Sequence, residues 1–65
     1  MKLKDLQYRT SDERKVIQAI IEGQDTTRRI TKKTGLAHFD AGHAISNLAR
    51  AGFIKAKDGA WQLAE

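Results

Sequence analysis

The chain has 65 residues and no cysteine, so it is long enough for one domain with a compact core but has no disulfide or thiolate metal site to stabilise it. Its formal net charge of +4 favours polyanionic partners, although charge bears on association and solubility and not on fold. No apolar run approaches the roughly 20 residues that span a bilayer, and the first residues lack the apolar segment of a signal peptide, so we expect a cytoplasmic protein without a membrane partner.

A short N-terminal arm, residues 1–9, precedes the first predicted helix. Leu3 and Leu6 fit either one face of a helical turn or an arm that packs on the core, and this segment is the one left over for dimerisation. Thr10 and Glu13 have the spacing of a capping box, which predicts a helix start. Apolar residues then recur at helical spacing up to Gly23, so we expect a helix over about residues 11–22 that buries Val16, Ile17, Ile20 and Ile21.

A second helix is predicted over about residues 27–34. Thr26 or Thr27 can cap its start, and Gly35 is a natural stop. Helical spacing divides it into two faces. The inward face consists of Thr27, Ile30, Thr31 and Thr34. The outward face consists of Arg28, Arg29, Lys32 and Lys33.

A third helix is predicted to start near Ala37 or His38 and to continue to about Ala51, before Gly52. Small alanines on its inward side would let it lie close to its neighbours. That inward face consists of Ala41, Ala44, Ile45 and Leu48. The outward face consists of His38, Phe39, Asp40, Gly42, His43, Ser46, Asn47 and Arg50.

The segment from Phe53 to Leu63 is typical of a β-hairpin, because Asp58-Gly59 is a strong two-residue turn signal. Closing the hairpin at this turn pairs Lys57 with Ala60 and Ile54 with Leu63. Period-two alternation then sorts the side chains. One face carries Ile54, Ala56, Trp61 and Leu63, and the other carries Lys55, Lys57 and Gln62. We expect Trp61 to pack under the hairpin.

The order helix, helix, turn, helix and two-stranded hairpin resembles the winged helix-turn-helix family of DNA-binding domains. The resemblance runs from Thr26 to Leu63, and the first helix extends it to about 55 of the 65 residues. It rests on the Ile30…Gly35-Leu36 turn, the helix exit from Ile45 to Ile54, and the Asp58-Gly59-Ala60-Trp61 wing. It implies an α+β fold for residues 10–65, a three-helix bundle with a C-terminal two-stranded β-hairpin wing.

The resemblance also implies a function. The third helix would be the recognition helix in the major groove of double-stranded DNA, and the hairpin would be a wing near the backbone or minor groove. Such domains commonly serve as repressors or activators of transcription, often in prokaryotes and their phages. A domain this small offers little affinity alone, so a homodimer or a partner protein is expected as well.

Three groups of residues are candidates for DNA contacts. Phosphates would be held by the second helix through Arg28, Arg29, Lys32 and Lys33, and by the hairpin through Lys55 and Lys57. Bases would be read by Ser46, Asn47 and Arg50, with His38 and His43 as further donors. Phe39 could touch a thymine methyl group, anchor a protein partner, or fold back against Leu36 or the arm. Gly42 either leaves room for a close backbone approach or is a tolerated defect.

Other chemistry has little support in the sequence. No serine has a plausible histidine and acid partner, and there is no phosphate-binding glycine loop, so we expect neither an enzyme nor a cofactor. A metal site could be built from His38, Asp40 and His43, which are residue types that bind metals. On a helix, however, His38 and Asp40 point apart, so we expect no metal site there. Two alternatives to DNA binding stay open, a protein-interaction winged helix that docks through Phe39 and an RNA-binding module.

Overall fold

The computed structural model describes residues 9–64. Three helices come first, α1 (Ser11–Ile21), α2 (Thr27–Thr34) and α3 (His38–Arg50). An antiparallel hairpin of β1 (Ile54–Lys57) and β2 (Ala60–Leu63) follows them. The α+β layout of three helices and a C-terminal hairpin is therefore confirmed. The predicted arm lies outside the described residues except for Arg9. Within residues 9–64, no helix has the length and the apolar character that crossing a membrane requires.

The start of α1 is the predicted capping box. The Thr10 hydroxyl accepts from the backbone N–H of Glu13 at 3.2 Å, and the Glu13 carboxylate accepts from the Thr10 backbone N–H at 3.3 Å. The Thr10 hydroxyl also donates to that carboxylate at 2.9 Å. Both bonds to the carboxylate end on Oε1 of Glu13, and its Oε2 accepts from the Arg9 guanidinium at 3.5 Å. Glu13 is therefore not an orphaned charge, although it is only 4% exposed. The helix ends at Ile21, one residue before the predicted end.

Both ends of α2 are where the sequence places them. The Thr26 hydroxyl accepts from the backbone N–H of Arg29 at 3.2 Å, which satisfies one of the free donors of the first turn. Gly35 ends the helix in the left-handed conformation, with φ of 74°, which a residue with a side chain adopts only at a cost. The next helix, α3, begins three residues later, at His38.

The core lies between the three helices and the first residues of the hairpin. It consists of Val16, Ile17, Ala19, Ile20, Ile30, Ala44, Ile45, Leu48, Phe53 and Ile54, all buried. The predicted inward face of α3 is confirmed, since Ala41 and Leu48 are fully buried and Ala44 and Ile45 nearly so. The prediction for Ile21 is wrong, because its side chain is 50% exposed. It is the last residue of α1, and the buried face of the helix has turned away from it.

The hairpin has the predicted register, in which Ile54 pairs with Leu63 and Lys57 with Ala60. Asp58 and Gly59 both have positive φ, 54° and 79°, as the two-residue turns that match strand twist require. Only the base of the predicted apolar face is fully covered, because Ile54 is buried whereas Ala56, nearer the turn, is exposed.

Trp61 fixes the hairpin to the helices. It is half-buried and packs against the core. Its backbone N–H donates to the carbonyl oxygen of Asp25 at 2.6 Å, and its indole Nε1–H donates to the hydroxyl of Thr27 at 3.3 Å. The expected packing of Trp61 under the hairpin is confirmed, with a polar attachment to the start of α2 that the alternation pattern does not predict.

Candidate nucleic-acid interface

The outward side of α3 carries an exposed stripe of four residues, which we call the α3 face: Phe39, His43, Ser46 and Arg50. Helical periodicity places them within about 60° of one another and opposite the buried alanines of the same helix. All four are exposed, so nothing in the described part of the chain covers this face. The expectation that α3 turns its alanines inward and its polar side to solvent is confirmed.

The two flanks of the α3 face differ in charge. His38 and Gly42 lie on one flank, and Asp40 and Asn47 lie on the other. The second flank borders a groove of about 270 Å³ between α3 and the start of α1. This groove is lined by Thr10, Asp12, Glu13, Phe39, Asp40, His43, Ala44 and Asn47. Three of these residues are acidic, so this flank disfavours contact with phosphate.

Phe39 is the most unusual residue of the α3 face. Its side chain is 80% exposed, and its ring lies nearly parallel to that of His43, with 6.2 Å between centroids and an interplanar angle of 16°. Leu36, in contrast, packs against the core. The possibility that Phe39 folds back against Leu36 is therefore wrong, because the first turn of α3 directs the ring away from the core. A contact with the N-terminal arm, the other possibility, lies outside the described residues.

The four cations of α2 are all exposed, as predicted, but they are not equivalent. Arg29 pairs with Asp25 at 3.4 Å, and Lys33 pairs with Glu22 at 3.5 Å. Arg28 and Lys32 form no ion pair with any residue from 9 to 64. Along the sequence no acidic residue lies within residues 26–39. Two acidic residues from just before that range, Asp25 and Glu22, nevertheless pair with cations of α2.

The Glu22–Lys33 pair is held from a second side. Gln18 donates a side-chain hydrogen bond to the Glu22 carboxylate at 3.2 Å. This hydrogen bond, followed by the charge of Lys33, lowers the pKa of Glu22 below its ordinary value. Glu22 is ionised at neutral pH, as an ordinary carboxyl group is, and its charge lies beside that of Lys33.

The α1–α2 connection joins the basic surfaces of α2 and the hairpin. Gly23 and Gln24 line a concave surface together with Arg29, Lys32 and Lys33. Gly23 and Asp25 also line a second one, together with Lys57 of the hairpin. Lys57 and three of the α2 cations thus border the same connection, on two concave surfaces that share Gly23. Lys55 is exposed on β1.

Arg9 is a structural residue that the sequence patterns do not reveal. Its guanidinium lies 5.1 Å from the centroid of the Phe53 ring and 3.5 Å from the Glu13 carboxylate. The cation therefore joins the start of α1 to the beginning of the hairpin. An Arg four residues before a buried Glu was the available signal, since that spacing brings the two side chains together.

Metal binding and similarity to known proteins are the two remaining sources of evidence about the site. Among residues 9–64 no three His, Asp or Glu side chains lie close enough together to hold a metal ion. No family model matches the chain, and no curated protein or solved structure matches it either.

Proposed function

We propose that this protein is a small double-stranded DNA-binding protein of the winged helix-turn-helix type, and that it acts as a transcriptional regulator. In this proposal α3 is the recognition helix and the hairpin is the wing. The observation that carries the proposal is the uncovered α3 face. An amphipathic helix that leaves one polar face free, at the surface of a basic domain, has the form that enters a major groove.

The α3 face and its flanks supply the groups that would read bases. The Arg50 guanidinium can donate two hydrogen bonds to guanine, and the Asn47 amide can pair with adenine. Ser46 and His43 have shorter side chains that can also donate hydrogen bonds to bases. His38 lies in the first turn of α3, where recognition helices approach base edges. Asp40 sits at the same end and opposes phosphate, so the N-terminal part of α3 would face bases and not the backbone.

The basic surface around the α1–α2 connection would contact the phosphates. Arg28 and Lys32 are the strongest candidates, because no described carboxylate neutralises them. Arg29 and Lys33 would first have to exchange Asp25 and Glu22 for a phosphate. Lys57 borders the same connection, and Lys55 extends the positive charge along β1.

The size of the domain favours a paired arrangement on DNA. Its described part measures 26 × 25 × 19 Å, which is less than the roughly 34 Å of one turn of B-DNA. One copy therefore covers one half-site. Two copies on neighbouring half-sites, or one copy beside a partner protein, would supply the affinity that a single small surface lacks.

The test is the salt dependence of the affinity for duplex DNA, measured by fluorescence anisotropy. The salt concentration is varied from about 50 to about 300 mM, the range in which counterion release changes the affinity strongly. A domain that neutralises four phosphates should show a log–log slope of about −3.6, from roughly −0.9 per contact. Absence of binding at the lowest salt, or a flat dependence, would reject the proposal.

A second candidate function is docking on another protein through α3. The 80% exposed ring of Phe39 and the acidic groove beside it favour this alternative, since an exposed aromatic residue is a common anchor of protein interfaces. The same salt series separates the two functions. A domain that docks only on proteins would either not bind duplex DNA or bind it with an affinity that hardly depends on salt.

A further inference from the structure

Phe39 and Gly42 are two residues of α3 that the fold itself does not require. The Phe39 ring is 80% exposed, and it stacks on the ring of His43. A Cβ built on Gly42 would meet nothing within 4 Å, and Gly42 has an ordinary helical φ, so neither packing nor backbone geometry in the described chain calls for glycine. Together they place a large apolar ring beside an open gap on one side of the helix.

The position of the ring on the helix limits what it can contact in DNA. Phe39 is the second residue of α3, in the first turn, and it lies at the centre of the α3 face. Residues in the first turns of a recognition helix contact base edges. The neighbouring carboxylates of Asp40 and Asp12 disfavour phosphate on this side, so the ring would face the floor of the groove.

The chemistry of the major groove then identifies the contact. Base edges in that groove present hydrogen-bond donors and acceptors and one apolar group, the C5-methyl group of thymine. A phenyl ring can form no hydrogen bond with the donors and acceptors. On the proposed DNA-binding function, we infer that Phe39 contacts the C5-methyl group of a thymine and that the protein prefers duplexes with thymine at that position.

The surroundings of Phe39 support this role. His43 lies one turn later and its ring runs parallel to that of Phe39, so it limits the positions that the phenyl ring can take. The missing side chain at Gly42 leaves room for the base pair next to the thymine. Both features present the ring to a ligand and do not bury it.

The experiment replaces thymine with deoxyuridine, which removes the methyl group and leaves every hydrogen-bonding atom in place. A duplex is first selected from a random pool by the full-length protein at low salt. Each thymine of that duplex is then replaced singly, and the affinity is measured. One replacement should weaken binding about fourfold, the effect of one methyl group removed from an apolar contact. Phe39→Ala should abolish that difference.

Two controls keep the result specific. Ile21→Ala removes the other exposed large apolar side chain of the described chain, at the end of α1, and should leave the fourfold difference intact. Thermal melting of Phe39→Ala should match the parent protein, because the ring is exposed. If the melting temperatures match, a loss of discrimination between thymine and deoxyuridine in Phe39→Ala cannot be due to unfolding.

The outcomes separate this inference from the function on which it rests. Failure to select any duplex overturns both. Selection of a duplex in which every deoxyuridine replacement is neutral overturns the thymine contact and leaves DNA binding standing. A methyl effect that survives Phe39→Ala assigns the contact to another residue and likewise overturns the inference.

Discussion

The indole nitrogen of Trp61 lies 3.3 Å from the hydroxyl oxygen of Thr27, a hydrogen bond across 34 positions of the chain. Thr27 is the first residue of α2, and Trp61 lies in the middle of β2. The backbone N–H of Trp61 is bonded to Asp25 in the connection just before α2. The hairpin is thereby joined to the start of the basic helix.

Removing the donor of this bond should weaken the attachment of the hairpin. We expect Trp61→Phe and Thr27→Val to be coupled by about 1 kcal/mol in a double-mutant cycle, the ordinary net value of a part-buried hydrogen bond. Urea unfolding of both single variants and the double variant measures it. Thr27→Ser retains the hydroxyl and should therefore show no coupling to Trp61→Phe, which makes it the matched control. Additive effects of Thr27→Val and Trp61→Phe would show that the bond contributes nothing.

The two halves of the basic row on α2 should differ in their effect on DNA binding. Arg28→Ala with Lys32→Ala should lower the magnitude of the log–log salt slope by roughly 1.8, since each lost phosphate contact removes about 0.9. Arg29→Ala with Lys33→Ala should lower it less, because Asp25 and Glu22 already pair with these cations. Equal slopes for the two double variants would show that the ion pairs open freely on DNA.

Gly42 and Gly35 should respond in opposite directions to substitution by alanine. Gly42→Ala should raise the free energy of unfolding by up to about 1 kcal/mol, because the position is helical and the new methyl group meets open space. Gly35→Ala should lower it by about 1 kcal/mol, because φ is 74° there. Thermal and urea unfolding of both variants decide the matter. A destabilised Gly42→Ala would mean that the position has a packing constraint.

The ionisation of Glu22 provides a test of its surroundings. Gln18 and Lys33 lower the pKa of this carboxyl in the folded state, so its contribution to stability is present above the unfolded pKa and is lost as the pH falls through the folded value. Gln18→Ala should raise the pKa towards its ordinary value, and Lys33→Ala should raise it as well, since both residues lower it in the parent protein. Carboxyl carbon NMR titration of Glu22 follows both shifts, and an unchanged pKa in Gln18→Ala would contradict the assigned cause.

Local signals account for the elements of the fold because each one acts within a few residues. The capping box of Thr10 and Glu13, the left-handed stop at Gly35 and the Asp58-Gly59 turn need no distant partner, and all three are present as predicted. The strand register followed from the same turn, since a two-residue loop leaves one way to align the strands. The exposure of Ile21 escaped prediction because periodicity alone does not show where a helix leaves the core.

The sequence by itself determined the helices, the hairpin and the inward face of α3, because capping, turn geometry and helical spacing are properties of neighbouring residues. Only the tertiary structure decided the free charges and exposed groups of the candidate interface. The pairing of Lys33 with Glu22 and the bond between Trp61 and Thr27 both depend on how separate elements pack. Such contacts join residues whose distance in space cannot be derived from their spacing along the chain.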